Sequence, residues 1–230
     1  SAHRADHIMV LTRTDPDAPK HRGISFLLCD MNTPGLTVNP IINMAGDHGF
    51  NMVTFDNVRV PKKNLVGEQN RGWYVGATLL DFERSGVDYS AGGRRVLEEL
   101  TDYAKNSSQN GSLISNNPIM RNRLANLAIE VEVSRLISYN IAWMQGEGLV
   151  PNKESSMGKV VGTELQQHLS ETGMQMLGLH GQLEPGSKYA PLDGRIEHMH
   201  LTNVSETIQA GTSEIQRNII ATRGLGLPRG

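Results

Sequence analysis

The sequence predicts a mainly α-helical fold, in which a partial β domain precedes an antiparallel helical bundle. In the first third of the 230 residues, short apolar runs alternate with segments rich in Pro, Gly, Asn and Asp. From Gly72 onward, apolar residues recur every three or four positions, which is the period of an amphipathic helix. Long amphipathic helices joined by short links are typical of antiparallel bundles. We therefore expect a β piece in the first third of the chain and a helical bundle after it.

Each segment follows from its local pattern. Apolar runs predict strands at residues 7–13, 23–30, 36–42 and 52–60, and the last of these alternates like a half-buried strand. The β piece offers few pairing partners, so we expect it to be incomplete.

Helical spacing predicts one helix from residue 72 to about residue 100, and further helices at residues 118–145 and 154–179. Two shorter helices are predicted near residues 189–203 and 213–222. Pro118 suits a first helical turn, and Gly178 suits a helix end.

Composition excludes several classes of function. The net charge of -2 and the pI near 6.4 disfavour a nucleic-acid partner, which would require a basic patch. No apolar run approaches the roughly 20 residues of a membrane helix. The single cysteine, Cys29, excludes an internal disulfide and is expected to be a buried structural thiol. We expect a cytoplasmic protein without a membrane partner.

Glu83 is the side chain whose position most suggests chemistry. Helical geometry places it beside the apolar stripe formed by Gly76, Leu79, Leu80 and Val87. Because burial of an unpaired carboxylate raises its pKa, such a group is a candidate general base. The alternative is that Glu83 pairs with a neighbouring cation or lies at the edge of the stripe.

The histidines do not predict a metal site. His198 and His200 would point to different sides of a helix, and no carboxylate cluster completes a ligand set around them. His168 lies close to an apolar helix face, where a hydrogen-bonded core histidine is the expected interpretation.

Two glycine-containing turns have the composition of ligand-contacting turns. Residues 175–181 end one predicted helix, and residues 210–217 begin another. Thr212 or Ser213 is expected to cap the second helix, whose free N–H groups could receive an anion or a polarised oxygen. An ordinary capped helix explains the same pattern.

Together these segments resemble one known family, the acyl-CoA dehydrogenases. Residues 53–68 with Gly72-Trp73 resemble the end of the family's middle β domain, and residues 175–178 resemble its flavin-contacting turn. Residues 210–221 resemble its C-terminal signature. The resemblance covers essentially the whole chain, in the right order. It implies that residues 1–68 are the C-terminal part of the middle β domain and that residues 69–230 form a C-terminal antiparallel four-helix bundle. It implies a fragment of a longer protein, because the family's N-terminal helical domain and the first part of its middle domain have no counterpart here.

The resemblance also implies a reaction. Members of the family remove an α proton and a β hydride from an acyl-CoA thioester, leaving a trans-2-enoyl-CoA and reduced FAD. Electrons then pass to an electron-transfer flavoprotein. Many members carry the base at the position of Ala210, which cannot take a proton. Isovaleryl-CoA and long-chain members carry it directly before an arginine on the first bundle helix, which here gives Glu83 before Arg84.

The remaining site residues follow from the same resemblance. Asp81, Arg84, Ala210 and Gly211 match substrate-binding positions, with the backbone N–H of Ala210 as a donor to the thioester oxygen. Four further residues match flavin-contacting positions: Gln175, Gly178, Thr212 and Glu214. No metal ligand is implied.

The chain departs from the family pattern at two places. Residues 106–111 lack the arginine and phenylalanine that many members place against the ADP half of the flavin, and Leu179 replaces a frequent glycine. Both losses are similar to those in bacterial heterotetrameric members. We therefore expect this chain to form a tetramer, as the family does, from copies of itself or together with a second kind of subunit. The chain could also be a non-catalytic partner subunit, or belong to related oxidases that reduce oxygen.

Overall fold

A computed structural model describes the backbone of residues 1–83 and 86–228, and the side chains of residues 1–80 and 86–228. It contains two compact units, Ser1–Glu83 and Arg84–Gly230. The first unit includes the helix that follows the strands, so it is longer than the β piece assigned above. The domain boundary after residue 68 stays a prediction.

The first unit contains two antiparallel sheets. Strands β1 (His7–Arg13), β2 (Ile24–Asp30) and β5 (Leu65–Val66) form the first sheet in the order β1-β2-β5. Strands β3 (Leu36–Ile41) and β4 (Phe50–Phe55) form the second. The partial β domain and its first three strands are confirmed.

The fourth predicted strand is shorter at its C-terminal end than the alternating pattern indicates. β4 ends at Phe55 because the chain turns there. The N–H of Asp56 donates to the carbonyl of Gly35 at 2.8 Å, and Asn57 adopts a φ of +51°. A left-handed residue cannot continue an extended strand. The prediction that the strand runs to residue 60 is wrong.

Strand β2 carries the buried face of this unit. Ser25, Phe26 and Cys29 are 0%, 7% and 1% exposed, which confirms Cys29 as a buried thiol. Helix α1 (Gly72–Glu83) begins directly against this strand. A Cβ atom on Gly72 would lie 2.1 Å from the backbone nitrogen of Phe26, so only glycine permits this approach.

The second unit is the predicted helical bundle. Its helices are α2 (Val87–Asn106), α3 (Pro118–Gly146), α4 (Asn152–Leu177), α5 (Arg195–Asn203) and α6 (Ser213–Ile219). The facing sides of α2, α3, α4 and α5 form one core. The core includes Val96, Leu100, Leu127, Val131, Leu165, Leu169, Met176 and Ile196. None of the described helices is both long and apolar enough to cross a membrane.

The single helix predicted for residues 72–100 is two helices. α1 ends at Glu83, and α2 begins at Val87 after Gly86, whose φ is +71°. A left-handed residue interrupts the right-handed helix, which explains the break. The apolar spacing stays in phase across it, so periodicity alone did not reveal it. Ser85 lies outside the described residues.

The ends of the later helices follow local chemistry. The side chain of Asn117 accepts from the N–H groups of Ile119 (2.9 Å) and Met120 (3.4 Å), and Pro118 is the first residue of α3. The predicted start of that helix is confirmed. Helix α5 begins later than predicted, because Leu192 and Asp193 take φ values of +50° and +54°.

Two glycines should respond oppositely to the same substitution. A Cβ atom on Gly162 would lie 2.5 Å from Cδ2 of Tyr89, whereas one on Gly92 would meet no atom within 4 Å. We expect Gly162→Ala to lower the free energy of unfolding by about 1–3 kcal/mol through overpacking. Gly92→Ala should raise it by about 0.5–1 kcal/mol, because alanine loses less backbone entropy in a helix. Denaturant unfolding measures both, and equal signs would contradict the packing of Tyr89 against α4.

Candidate functional site

The turn that precedes α6 has an unusual backbone. Ala210 and Gly211 both have positive φ values, +52° and +91°. Thr212 then caps the helix, with its Oγ1 accepting from the N–H of Ile215 at 3.3 Å. The predicted cap is confirmed for Thr212. A left-handed residue other than glycine is uncommon, and such residues concentrate at functional sites.

Gln216 holds this turn from inside the protein. Its side chain is 1% exposed, and its Nε2 donates to the carbonyls of Ala210 (3.2 Å) and Gly211 (3.4 Å). A Cβ atom on Gly211 would lie 2.6 Å from this nitrogen. The lack of a side chain at Gly211 therefore leaves the space that the amide of Gln216 occupies.

Side chains of α4 anchor the segment that leads into the turn. Lys159 is only 5% exposed, and its Nζ donates to the carbonyl of Glu206 at 2.9 Å. Gln167 Nε2 donates to the carbonyl of Asn203 at 3.1 Å, and Asn203 Nδ2 donates to the carbonyl of Gln166 at 2.8 Å. These three bonds tie the irregular stretch of chain after α5 to helix α4.

Glu206 is also held through its side chain. Burial, followed by the negative charge of Glu206, raises the pKa of Tyr89 to about 12. The tyrosine hydroxyl therefore stays protonated at neutral pH and donates to the Glu206 carboxylate. Gln209 Nε2 donates to the same carboxylate at 2.9 Å.

Glu214 lies in the first turn of α6 as an exposed carboxylate. Hydrogen bonds from its own backbone N–H and from the Thr212 hydroxyl lower its pKa, and the nearby charges of Arg217 and Lys159 act in the same direction. The group is therefore a charged hydrogen-bond acceptor at neutral pH.

The second candidate turn lies at the C-terminal end of α4. Gly178 ends the helix with φ +58° and ψ −137°, a conformation essentially restricted to glycine. Gln175 is exposed one turn earlier, and Leu179 is 83% exposed. A Cβ atom on Gly178 would lie 3.8 Å from Nε2 of Gln109. Gln109 belongs to a small hairpin of strands β6 (Ser108–Gln109) and β7 (Ser112–Leu113).

The two turns are far apart within one chain. Arg217 of α6 pairs with Glu164 of α4 at 2.7 Å, whereas Gly178 follows Leu177 at the end of the same helix. The 13 residues from Glu164 to Leu177 span about 20 Å at roughly 1.5 Å per residue. The structure thus brings Ala210, Gly211, Thr212 and Glu214 together. It brings Gln175 and Gly178 together at a separate place.

The other predicted site residues are described only in part. Asp81 and Glu83 lie in the last turn of α1, and their side chains are outside the described set. Arg84 lies outside the described residues altogether. His168 is not a core residue, because it is 51% exposed and its Nδ1 lies 2.8 Å from Oε2 of Glu130. Among the described residues, no group of three or more metal-ligating side chains clusters.

Comparison with known proteins identifies the family. The family profile described as "Acyl-CoA dehydrogenase, C-terminal domain" matches residues 70–225. The chain belongs to the acyl-CoA dehydrogenase family.

Relatives within the acyl-CoA dehydrogenases match nearly the whole chain. Acyl-CoA dehydrogenase FadE26 of Mycobacterium tuberculosis is 36% identical, over 98% of this chain and 58% of that protein. For FadE34 of the same organism, identity is 34%, over 100% of this chain and 30% of that protein. The chain therefore spans between about a third and three fifths of the length of these relatives.

Solved acyl-CoA dehydrogenase structures share its fold. The structure titled "Tcur3481-Tcur3483 steroid ACAD" superposes with a TM-score of 0.90 and 31% identity, covering 100% of this chain and 58% of that one. The ChsE4-ChsE5 complex from Mycobacterium tuberculosis gives a TM-score of 0.89 and 34% identity, covering 99% and 59%.

Sequence reasoning missed two residues of this acyl-CoA dehydrogenase domain. Gln216 and Lys159 were not singled out, although both are buried and both bind the irregular segment before α6. The burial of Lys159 could have been suspected from the sequence. Its neighbours in α4 are small and apolar, which is unusual around a lysine that faces solvent.

Proposed function

We propose that this chain is the C-terminal part of a flavin-dependent acyl-CoA dehydrogenase that converts an acyl-CoA thioester to a trans-2-enoyl-CoA. The observation that carries the proposal is the turn of Ala210, Gly211 and Thr212. Its sequence matches the family signature, and its backbone is held in an uncommon conformation by a buried glutamine. A turn fixed in this way supplies oriented backbone N–H groups, which stabilise negative charge on a substrate oxygen.

The proposed reaction divides the work among the chain's own residues. Glu83 takes the α proton, since alanine at position 210 has no group that accepts one. The backbone N–H of Ala210 donates to the thioester oxygen, where charge develops as that proton leaves. Asp81 and Arg84 contact the thioester arm of the substrate, and Gly211 completes the turn beside it.

The polar residues of the two turns fit a flavin cofactor. FAD would supply the acceptor for the β hydride, and an electron-transfer flavoprotein would receive the two electrons. Exposed Gln175 and glycine-restricted Gly178 present amide and backbone groups, while Thr212 and ionised Glu214 offer hydrogen-bonding oxygens. Because the two turns lie beside parts of α4 that are about 20 Å apart along the helix, we propose that they contact different parts of the cofactor or different copies of it.

The ADP half of the cofactor fits less well. The segment from Asn106 to Leu113, which includes the hairpin beside Gly178, contains no lysine or arginine. A diphosphate is usually held by cations or by several backbone N–H groups. This observation favours a second possibility, in which the chain pairs with a different, homologous subunit and shares flavin with it. Both solved structures described above are named for two components, which agrees with that arrangement.

Anaerobic addition of acyl-CoA thioesters to the full-length, flavin-loaded protein tests the main proposal. We expect at least one thioester to bleach the oxidised flavin band and to yield the trans-2-enoyl-CoA, identified by mass. No bleaching with straight-chain, branched or steroid side-chain thioesters would contradict the proposal. Oxygen consumption without another electron acceptor would instead indicate an oxidase.

A separate measurement tests whether the chain shares flavin with a second, homologous subunit. The full-length protein is expressed alone and together with a homologous subunit that carries a cation in the hairpin segment, and flavin content is measured after desalting. Retention only on co-expression supports a shared-flavin hetero-oligomer. Full retention by the protein alone supports a homo-oligomer.

A further inference from the structure

We propose that Gln216 is a positioning residue for the proposed reaction: its buried amide holds Ala210 in a left-handed conformation and so directs the backbone donors of the turn. The inference rests on the proposed function of the turn as the donor to the thioester oxygen. It adds a residue that does not touch the substrate but determines whether those donors point in the productive direction.

The first step of the argument is the rigidity of the peptide group. The carbonyl of Ala210 and the N–H of Gly211 belong to one planar trans unit and point in opposite directions. The same relation joins the carbonyl of Gly211 to the N–H of Thr212. Because Gln216 Nε2 donates to both carbonyls, at 3.2 and 3.4 Å, it fixes both N–H groups on the side of the turn away from itself.

The second step concerns the N–H of Ala210. This residue has a φ of +52°, which a side chain with a Cβ atom disfavours. Relaxation to the ordinary helical value near −60° would rotate its N–H by roughly 110° relative to its carbonyl. The hydrogen bonds from Gln216 to both carbonyls of the turn oppose such a rotation.

The third step excludes simple packing as the role of this side chain. Gln216 is 1% exposed, and its Oε1 accepts no hydrogen bond from the described residues. A buried polar atom without a partner is unfavourable, so an apolar side chain would serve packing better. The glutamine is explained by the two bonds that its nitrogen donates. The absence of a Cβ atom at Gly211, 2.6 Å from that nitrogen, makes room for them.

The experiment compares Gln216→Met with wild type in the full-length holoenzyme. Methionine keeps the volume of the side chain and removes both donated bonds. Two binding constants are measured: one for a saturated acyl-CoA, and one for the enolate of a 3-oxoacyl-CoA, which carries the charge that the turn is proposed to stabilise. We expect kcat and enolate affinity to fall by about 100-fold, the effect of losing one oxyanion donor. Affinity for the saturated thioester should change much less.

A matched control and a rescue separate positioning from structure. Gln166→Met removes another, partly buried side-chain bond of the bundle, from Nε2 to the carbonyl of Tyr89 at 3.0 Å, and should leave the ratio of the two affinities unchanged. Glycine adopts positive φ without strain. The double variant Gln216→Met with Ala210→Gly should therefore regain a large part of the enolate affinity. Lost packing would not be rescued six residues away.

The outcomes distinguish this inference from the proposed function. If wild type binds the enolate no more tightly than the saturated thioester, the proposed function fails and the inference falls with it. If wild type shows that preference and Gln216→Met keeps it, only the role of Gln216 is overturned. An unrescued loss in the double variant also overturns it. Should Gln216→Met yield no folded holoenzyme, Gln216→Asn replaces it, since asparagine keeps the amide but shortens its reach by one methylene.

Discussion

Replacing Glu83 by glutamine in the full-length protein is expected to lower kcat by about 10²- to 10⁴-fold, the usual contribution of a general base. Glutamine has nearly the same shape as glutamate but cannot accept the α proton. Many acyl-CoA dehydrogenases carry their base at the position of Ala210, so this chain has no carboxylate there to take over. The flavin band and the oligomeric state should be unchanged, because the substitution removes only a charge.

Steady-state rates with the best thioester, flavin content and sedimentation together check this expectation. The control is Glu68→Gln, which neutralises a carboxylate of the same unit that is 83% exposed and lies 3.7 Å from Arg71. That variant should retain wild-type kcat. Comparable rates for Glu83→Gln and wild type would place the base elsewhere in the protein.

The helical part of the fold was largely predictable, because its signals are local. Asn117 and Pro118 mark the start of α3, and Gly178 marks the end of α4, each through the hydrogen bonds of its own neighbourhood. The break before α2 was not predictable in the same way. A glycine inside a helical pattern costs only about 1 kcal/mol and is tolerated, so Gly86 alone did not indicate that the chain would stop there.

Most of the remaining errors in the predicted ends of strands and helices occur at residues other than glycine that adopt a left-handed conformation. Asn57 ended a strand early, and Leu192 and Asp193 delayed the start of α5. Asparagine and aspartate tolerate this conformation, but leucine does not favour it, and nothing in its neighbours along the chain announces it. Such conformations are imposed by tertiary contacts, which a single sequence does not reveal.

In the candidate site too, residues with local contacts were predictable and residues with tertiary contacts were not. Thr212 was predicted as a cap because a cap is a contact between residues three positions apart. The roles of Gln216 and Lys159 depend on burial and on carbonyls that the folded chain brings to them, so composition and spacing did not reveal them. Glu83 was reached through family resemblance, and its role stays a prediction.

Helix α3 carries a second apolar face that the second unit does not cover. Its inner side chains, such as Leu127, Val131 and Ile141, are at most 3% exposed. On the other side, five apolar residues spaced three or four apart are 43% to 62% exposed: Ile129, Val133, Leu136, Tyr139 and Trp143. A helix that is apolar on both faces is normally buried on both. We therefore expect this stripe to be the contact through which the proposed oligomer forms.

Leu136→Glu should dissociate that oligomer. Leu136 lies at the middle of the stripe and is 55% exposed, so burying the rest of its side chain contributes about 1 kcal/mol. In a two-fold interface each copy brings the same substitution, so the loss counts twice, and the introduced carboxylates add a desolvation cost. A loss of roughly 4 kcal/mol corresponds to a dissociation constant about 10³-fold higher.

Sedimentation of the full-length protein over a range of concentrations measures this change. Leu136→Met serves as the matched control, because methionine keeps the apolar surface and should keep the assembly. Equal dissociation constants for Leu136→Glu and wild type would mean that another part of the full-length protein covers the stripe. If the glutamate variant dissociates and also loses its flavin, the assembly itself completes the cofactor site. That result would agree with the position of the two candidate flavin turns, which lie beside parts of α4 about 20 Å apart along the helix.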